Sequence, residues 1–171
     1  MIRVIRAFDE AVDRAVARIR SPALDRVVYP LSSAADHSLL WHACGLARAI
    51  AGGGDLRFAA RFSVAMGVES ALTNGPVKAA FRRVRPVAYE ELNFRHGLRR
   101  PVTSAFPSGH ATAGFCAATL LGGGAGWYGL ATVVAATRVY VRLHHASDVA
   151  AGAALGLALG AGLRRVVAQR P

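Results

Sequence analysis

From Pro101 to Thr137 the chain runs 37 residues without one Asp, Glu, Lys or Arg. A helix facing water needs a polar stripe, so a run this long argues against an ordinary soluble architecture. Gly122, Gly123 and Gly124 interrupt it near the middle, and glycine accepts turn conformations closed to other residues. The pattern predicts two apolar helices, over about 105–121 and 126–141. A second uncharged run, Val149 to Leu163, stops at Arg164 and Arg165. Each run is slightly short of the roughly 20 residues that cross a bilayer upright, so flanking residues must contribute. Within the second, Gly152, Gly156 and Gly160 recur every fourth residue and share one face. Such a stripe lets two membrane helices approach closely.

The expected fold is therefore all-α: a polytopic membrane bundle of about five transmembrane helices, with an amphipathic segment before them. Of the 171 residues, 53% are hydrophobic and 18% charged, which excludes a disordered tail or a coiled coil. Cys44 and Cys116 both lie in apolar stretches, so neither a disulfide scaffold nor a CxxC site is present. Two earlier helices are less clean. One, about 31–51, carries Asp36, His37, His42 and Arg48; the other, about 56–73, carries Arg57, Arg61 and Glu69. Glu69 reads as an internal partner for an arginine, and Asp36 and His37 as residues at the membrane edge; His42 belongs to no motif. At the N-terminus Ile5, Phe8, Val12, Val16 and Ile19 repeat at helical spacing among charges that exclude a signal peptide. Two readings stay open for it, a helix on the membrane surface or one packed on the bundle. Ser21-Pro22 ends it, dividing the chain into a segment 1–26 and a membrane domain 27–171.

Chemistry concentrates in three places. Lys78 and Arg85 lie seven apart, a spacing a helix would put on one face, and two cations there suit a phosphate. A basic cluster touching lipid head groups is the simpler alternative. Pro107-Ser108-Gly109-His110 reads as a helix start, where free backbone N–H groups bind anions and Gly109 permits close approach. His110 would sit beside that anion, in position to donate a proton; a plain capping motif is the alternative. In the third place, His144 and Asp148 are four apart, so on a helix the carboxylate could fix the imidazole tautomer. Arg138 could clamp the same anion. A polar loop, a role for His145 instead, or a metal held by the two histidines and Asp148 also remain open there.

In order, Lys78-x6-Arg85-Pro86, Pro107-Ser108-Gly109-His110 and Arg138-x5-His144-x3-Asp148 resemble the type 2 phosphatidic acid phosphatase (PAP2) superfamily. That family includes lipid phosphatases, bacterial acid phosphatases and vanadium haloperoxidases. The resemblance covers about residues 31–163. Thr137 stands where a serine commonly precedes the third-motif arginine, and many members have six membrane helices. The resemblance implies His144 as nucleophile, Asp148 as its orienting carboxylate and His110 as general acid. It implies Lys78, Arg85, Arg138, Ser108 and the Gly109 backbone as phosphate ligands. Several cations can stabilise phosphoryl transfer without a metal, so no cofactor and no divalent ion are expected. Halide oxidation belongs to larger soluble relatives, and the apolar helices argue against it.

A site at helix ends implies an amphiphilic partner, a lipid phosphate with its tail in the bilayer. The stretch Leu31-Ser-Ser-Ala-Ala-Asp-His-Ser38 is similar to one in short actinobacterial members. That similarity implies a polyprenyl-linked sugar phosphate such as decaprenylphosphoryl-5-phosphoribose, a cell-wall precursor. Phosphatidic acid, phosphatidylglycerol phosphate and undecaprenyl pyrophosphate stay open. With five spans, 15 of the 21 cationic residues fall on the motif side, 12 once Lys78, Arg85 and Arg138 are set aside, against 6 opposite. The positive-inside bias then puts the catalytic face in the cytoplasm. A non-catalytic anionic-lipid binder would need neither His110 nor His144. A nucleic-acid partner is disfavoured, because neither a recognisable motif nor interleaved aromatics accompany the +11 charge. The sequence gives no oligomeric state.

Overall fold

The computed structural model describes residues 2–86 and 103–168, and every regular element among them is helical. The order is α1 (Ile2–Ile19), α2 (Pro22–Ala34), α3 (Leu39–Ala51), α4 (Leu56–Leu72), α5 (Gly109–Leu120), α6 (Ala125–Tyr140) and α7 (Ala146–Ala168). Of the charges counted above, Arg95, Arg99, Arg100 and Arg170 lie outside the described residues.

The uncharged run folds as its composition dictates: α5 and α6, joined by a turn in which Gly122 and Gly123 take φ of 119° and 70°. A side chain is strained there, so the triplet sets the turn. α5 starts four residues later than expected because Ser108 caps it, accepting the Ala111 N–H at 3.5 Å. Ser21 likewise both follows α1 and caps α2, accepting from the Leu24 N–H.

The single helix expected over 31–51 is two. A short turn, Asp36–Ser38, separates α2 from α3, with His37 and Ser38 at φ of 53° and 59°. Polar residues tolerate this left-handed conformation best, and three stand together here.

The glycine stripe does what its spacing predicts. A Cβ on Gly152 would lie 2.5 Å from the Ser108 carbonyl oxygen, one on Gly156 would collide with the Thr112 carbonyl, and one on Gly160 would lie 2.7 Å from Thr119 Cβ. α7 therefore rests directly on the α5 backbone, the most intimate helix pair in the fold. Trp41, Phe62, Met66, Leu121 and Val134 fill the space between α3, α4, α5 and α6. Large apolar side chains face outward as well, among them Leu39, Ile50, Leu56, Val64 and Val133. So many exposed aliphatics on one bundle suit hydrocarbon better than water. α7 is the one described helix long and apolar enough to cross a membrane.

α1 docks on the bundle through a mixed face of Asp9, Val12, Asp13 and Val16. Asp9 is buried and Asp13 approaches His145, while Ile2, Val4, Phe8 and Ile19 point outward. Asp9 receives the Ser147 N–H at 2.9 Å and the Ser147 hydroxyl at 2.8 Å, capping the first turn of α7 from another element. Burial alone would raise the Asp9 pKa, but the Ser147 bonds and Arg83 outweigh it and hold the carboxyl below its ordinary range.

Candidate active site

α3, α5 and α7 start where α4 and α6 finish, and a cavity of about 420 Å³ opens at that end. Six of the eight residues singled out in sequence line it: Lys78, Arg85, Gly109, His110, Arg138 and His144. They come from four separate stretches of chain.

His144 stands in the turn between α6 and α7, ahead of the helix rather than on it. Arg142, at φ 58°, turns the chain sharply, and the Leu143 and His144 N–H groups both donate to the Arg138 carbonyl at 3.1 Å. This lock fixes the imidazole. Its Nε2 lies 3.4 Å from Arg85 Nη1, on the cavity side. Its Nδ1 lies 3.8 Å from Asp148 Oδ2, so the carboxylate stands behind the ring without lining the cavity. Burial, then Arg138, Arg85 and Lys78, hold the His144 pKa well below its ordinary value. A guanidinium can only donate, so at this contact Nε2 is the accepting ring nitrogen. His145 faces Asp13 of α1 instead and does not line the cavity.

Asp148 closes a capping box, accepting the His145 N–H at 2.9 Å, and its other oxygen pairs with Arg83 Nη1 at 2.8 Å. Arg83 also donates to Ser147 Oγ at 2.8 Å and pairs with Asp9 at 2.5 Å. One guanidinium thus ties the carboxylate behind His144 to α1. Sequence reasoning missed it, because nothing in the run Arg82-Arg83-Val84-Arg85 says which arginine turns inward.

Arg85 donates to the Leu143 carbonyl at 2.6 Å and the Thr103 carbonyl at 3.1 Å. Burial lowers its pKa, with Asp148 opposing, yet a guanidinium stays charged. Lys78 Nζ donates to Thr103 Oγ at 3.3 Å, and Arg138 Nη1 donates to Ser32 Oγ at 2.5 Å. Gly109 is where close approach matters: a Cβ there would lie 3.3 Å from Asn74 Oδ1 and 3.5 Å from Lys78 Nζ. Ser108 is fully buried beneath this wall as the α5 cap.

Asp36 stands just ahead of α3 at this end of the bundle, and its Oδ1 lies 3.0 Å from His110 Nε2 on the cavity wall. The Leu31–Ser38 stretch was the available signal, since its Ser32 and Asp36 both touch site residues. Glu69 has no arginine partner among the described residues; Thr73 donates to its Oε1 at 2.9 Å. Among those residues, no three His, Cys, Asp or Glu converge as a metal site would require.

The fold is similar to a solved structure, that of the first transmembrane PAP2-type phosphatidylglycerolphosphate phosphatase from Bacillus subtilis. The TM-score is 0.73 at 22% identity, over 95% of this chain and 86% of that one. No curated protein matches the sequence. Residues 58–171, which hold all three motifs, match the PAP2 superfamily, and the chain belongs to it.

Proposed function

We propose that this chain is an integral-membrane lipid phosphatase that cleaves a phosphomonoester or pyrophosphate through a phosphohistidine. One observation carries this reading: His110 and His144 share one cavity with Lys78, Arg85 and Arg138. Anion binding alone would call for the cations and not for two imidazoles.

The three cations hold the phosphate oxygens and take up charge in the transition state. His144 Nε2 gives its lone pair to phosphorus as the P–O bond to the leaving alkoxide breaks. His110 passes its proton to that alkoxide. In the second half, water attacks phosphorus, its proton returns to His110, and the P–N bond breaks to release inorganic phosphate. Asp148, on the Nδ1 side, stabilises the charge that develops on the His144 ring. Asp36 plays the matching part for His110, holding the ring through Nε2. Lys78, Arg85 and Arg138 supply the positive charge that a divalent ion would otherwise bring.

The outward aliphatics and the helix α7 support membrane embedding, with α3 to α7 as the five crossing helices and segment 1–26 at the interface. For the substrate, the Leu31–Ser38 stretch supports a polyprenyl-linked sugar phosphate of the decaprenylphosphoryl-5-phosphoribose kind, in cell-wall precursor synthesis. The charge asymmetry supports a cytoplasmic catalytic face. Impermeant thiol labelling of intact cells tests that, comparing Arg82→Cys beside the site with Arg57→Cys at the opposite end. Ready labelling of Arg82→Cys alone overturns it.

The central experiment is phosphate release from a panel of lipid phosphates in detergent with EDTA. The panel spans the sugar-phosphate lipid, phosphatidic acid, phosphatidylglycerol phosphate and undecaprenyl pyrophosphate. Wild type is expected to release phosphate, and His144→Ala to lose all release. Equal activity in His144→Ala refutes the nucleophile. Binding without turnover in wild type makes the chain an anionic-lipid binder.

A further inference from the structure

We infer that the cavity carries, beside the phosphate position, a hydrogen-bonding wall built on Glu69 that recognises a free hydroxyl on the alcohol being released. This rests on the phosphatase reading above and narrows its substrate class.

Glu69 lines the cavity at 1% exposure. Its Oε1 accepts from Thr73, while Oε2 has no partner among the described residues. Buried polar atoms are nearly always paired, because leaving one unpaired costs about 1–3 kcal/mol. One turn on, Asn74 Nδ2 donates to the Ser70 carbonyl at 3.1 Å and to Ser70 Oγ at 3.2 Å. That fixes the amide with Oδ1 toward Gly109. Glu69, Ser70 and Asn74 therefore form one polar strip along the end of α4, all on the cavity wall.

This strip does not suit the phosphate. The Asn74 amide oxygen repels phosphoryl oxygens, which the cations of α6 and of residues 78 and 85 attract. The cavity also exceeds what one tetrahedral anion fills; at about 420 Å³ it is sized for a small-molecule group. The ligand part beside the ester must then bring a donor. An ammonium would meet repulsion from Lys78, which is close enough to Glu69 to interact with it electrostatically. A hydroxyl meets none.

The favoured class is a phosphomonoester whose leaving alcohol bears a nearby hydroxyl, as in a glycerol or sugar head group. Phosphatidic acid and polyprenyl pyrophosphate release groups without one. A site that hydrogen-bonds a hydroxyl rejects the analogue lacking it more strongly than an apolar pocket rejects a missing methylene.

The test compares phosphatidylglycerol phosphate with phosphatidic acid of the same acyl chains, in wild type, Glu69→Gln and Glu69→Leu. Wild type is expected to favour the hydroxyl-bearing lipid by about tenfold or more in kcat/KM. That ratio should fall about tenfold in Glu69→Leu, and by less in Glu69→Gln, which keeps the shape and the Thr73 bond. A ratio unchanged in both variants, or a wild-type preference for phosphatidic acid, overturns the inference. If wild type turns over neither these lipids nor any other in the panel above, the phosphatase reading fails separately. Calorimetric binding of glycerol 3-phosphate against methyl phosphate then decides the wall: tighter glycerol phosphate binding that Glu69→Leu removes supports it, and equal affinities refute it.

Discussion

The seam between α5 and α7 carries His110 on one helix and Asp148 on the other, so a methyl group placed in it should reach the chemistry. In Gly152→Ala the new Cβ would sit 2.5 Å from the Ser108 carbonyl oxygen and 3.3 Å from the Ser108 nitrogen. Both are backbone atoms, and no rotamer change relieves them. Regaining an ordinary 3.4 Å contact requires α7 to retreat by about 0.9 Å. Overpacking of this kind destabilises by about 1–3 kcal/mol. A displacement near 1 Å at a reacting centre can lower turnover by about 10²-fold. Gly156→Ala meets the Thr112 carbonyl and the Cys116 nitrogen, again backbone, but farther from the site. Gly162 is the control, since a Cβ there meets nothing within 4 Å. The expected order of kcat is Gly162→Ala equal to wild type, then Gly156→Ala, then Gly152→Ala lowest. Thermal unfolding in detergent should place both seam variants a few degrees below the control. Phosphate release and Tm measured on the same preparations check both scales. If Gly152→Ala matches Gly162→Ala in kcat and Tm, the seam does not position the site.

Three further outcomes follow from the site. Asp36→Asn removes the charge 3.0 Å from His110 and should lower kcat by up to about 10²-fold with a smaller change in KM; steady-state kinetics on the preferred lipid decides it. Asp9→Ala unpairs Ser147 and one arm of Arg83; discounting for the 29% exposure of Arg83, a loss of about 2 kcal/mol is expected, or about 4–8 °C in Tm. Because folding lowers the Asp9 pKa, this contribution is complete above the ordinary value of 3.8 and disappears as pH falls through the lowered value, so the Tm gap should close in acid. Last, since burial and three cations depress the His144 pKa, the acid limb of kcat/KM belongs well below pH 6.5. A limb centred at or above that pH would refute a neutral nucleophile.

The helices of the uncharged run were legible because apolar runs and glycine punctuation act locally. The three motifs were legible as an order of residue types. What escaped was whatever depends on direction. Hydropathy over 31–51 is continuous, so nothing in it marks the left-handed backbone at His37 and Ser38 that splits the helix and turns Asp36 to His110. A buried acid needs a partner, and the sequence points to an arginine for Glu69; Thr73, one turn away, supplies it for one oxygen. Ser108 fits a phosphate ligand and a helix cap equally well by spacing, and only burial separates the two. His144 and Asp148 do come together, although the helix that would explain their spacing begins two residues after His144.

The partners of the buried cations separate structural from working charges. Arg83 is neutralised by two carboxylates, Asp9 and Asp148. Lys78, Arg85 and Arg138 make no ion pair within 4 Å among the described residues; they are held by the Thr103 hydroxyl, two backbone carbonyls and the Ser32 hydroxyl. Neutral acceptors fix the direction of a cation without cancelling its charge, whereas a carboxylate does both. Three cations around one cavity, none in contact with a carboxylate among the described residues, destabilise the empty fold through mutual repulsion and lost hydration. A phosphate dianion relieves both, and the partly dissociated phosphoryl group of the transition state, its oxygens already oriented toward fixed donors, relieves them with no reorganisation. The helices bear that strain through the α5–α7 backbone contact and the Arg83 anchor, elements in which no group titrates against the substrate. Stability thus resides in the seam and the paired arginine, and reactivity in the cations held by neutral acceptors.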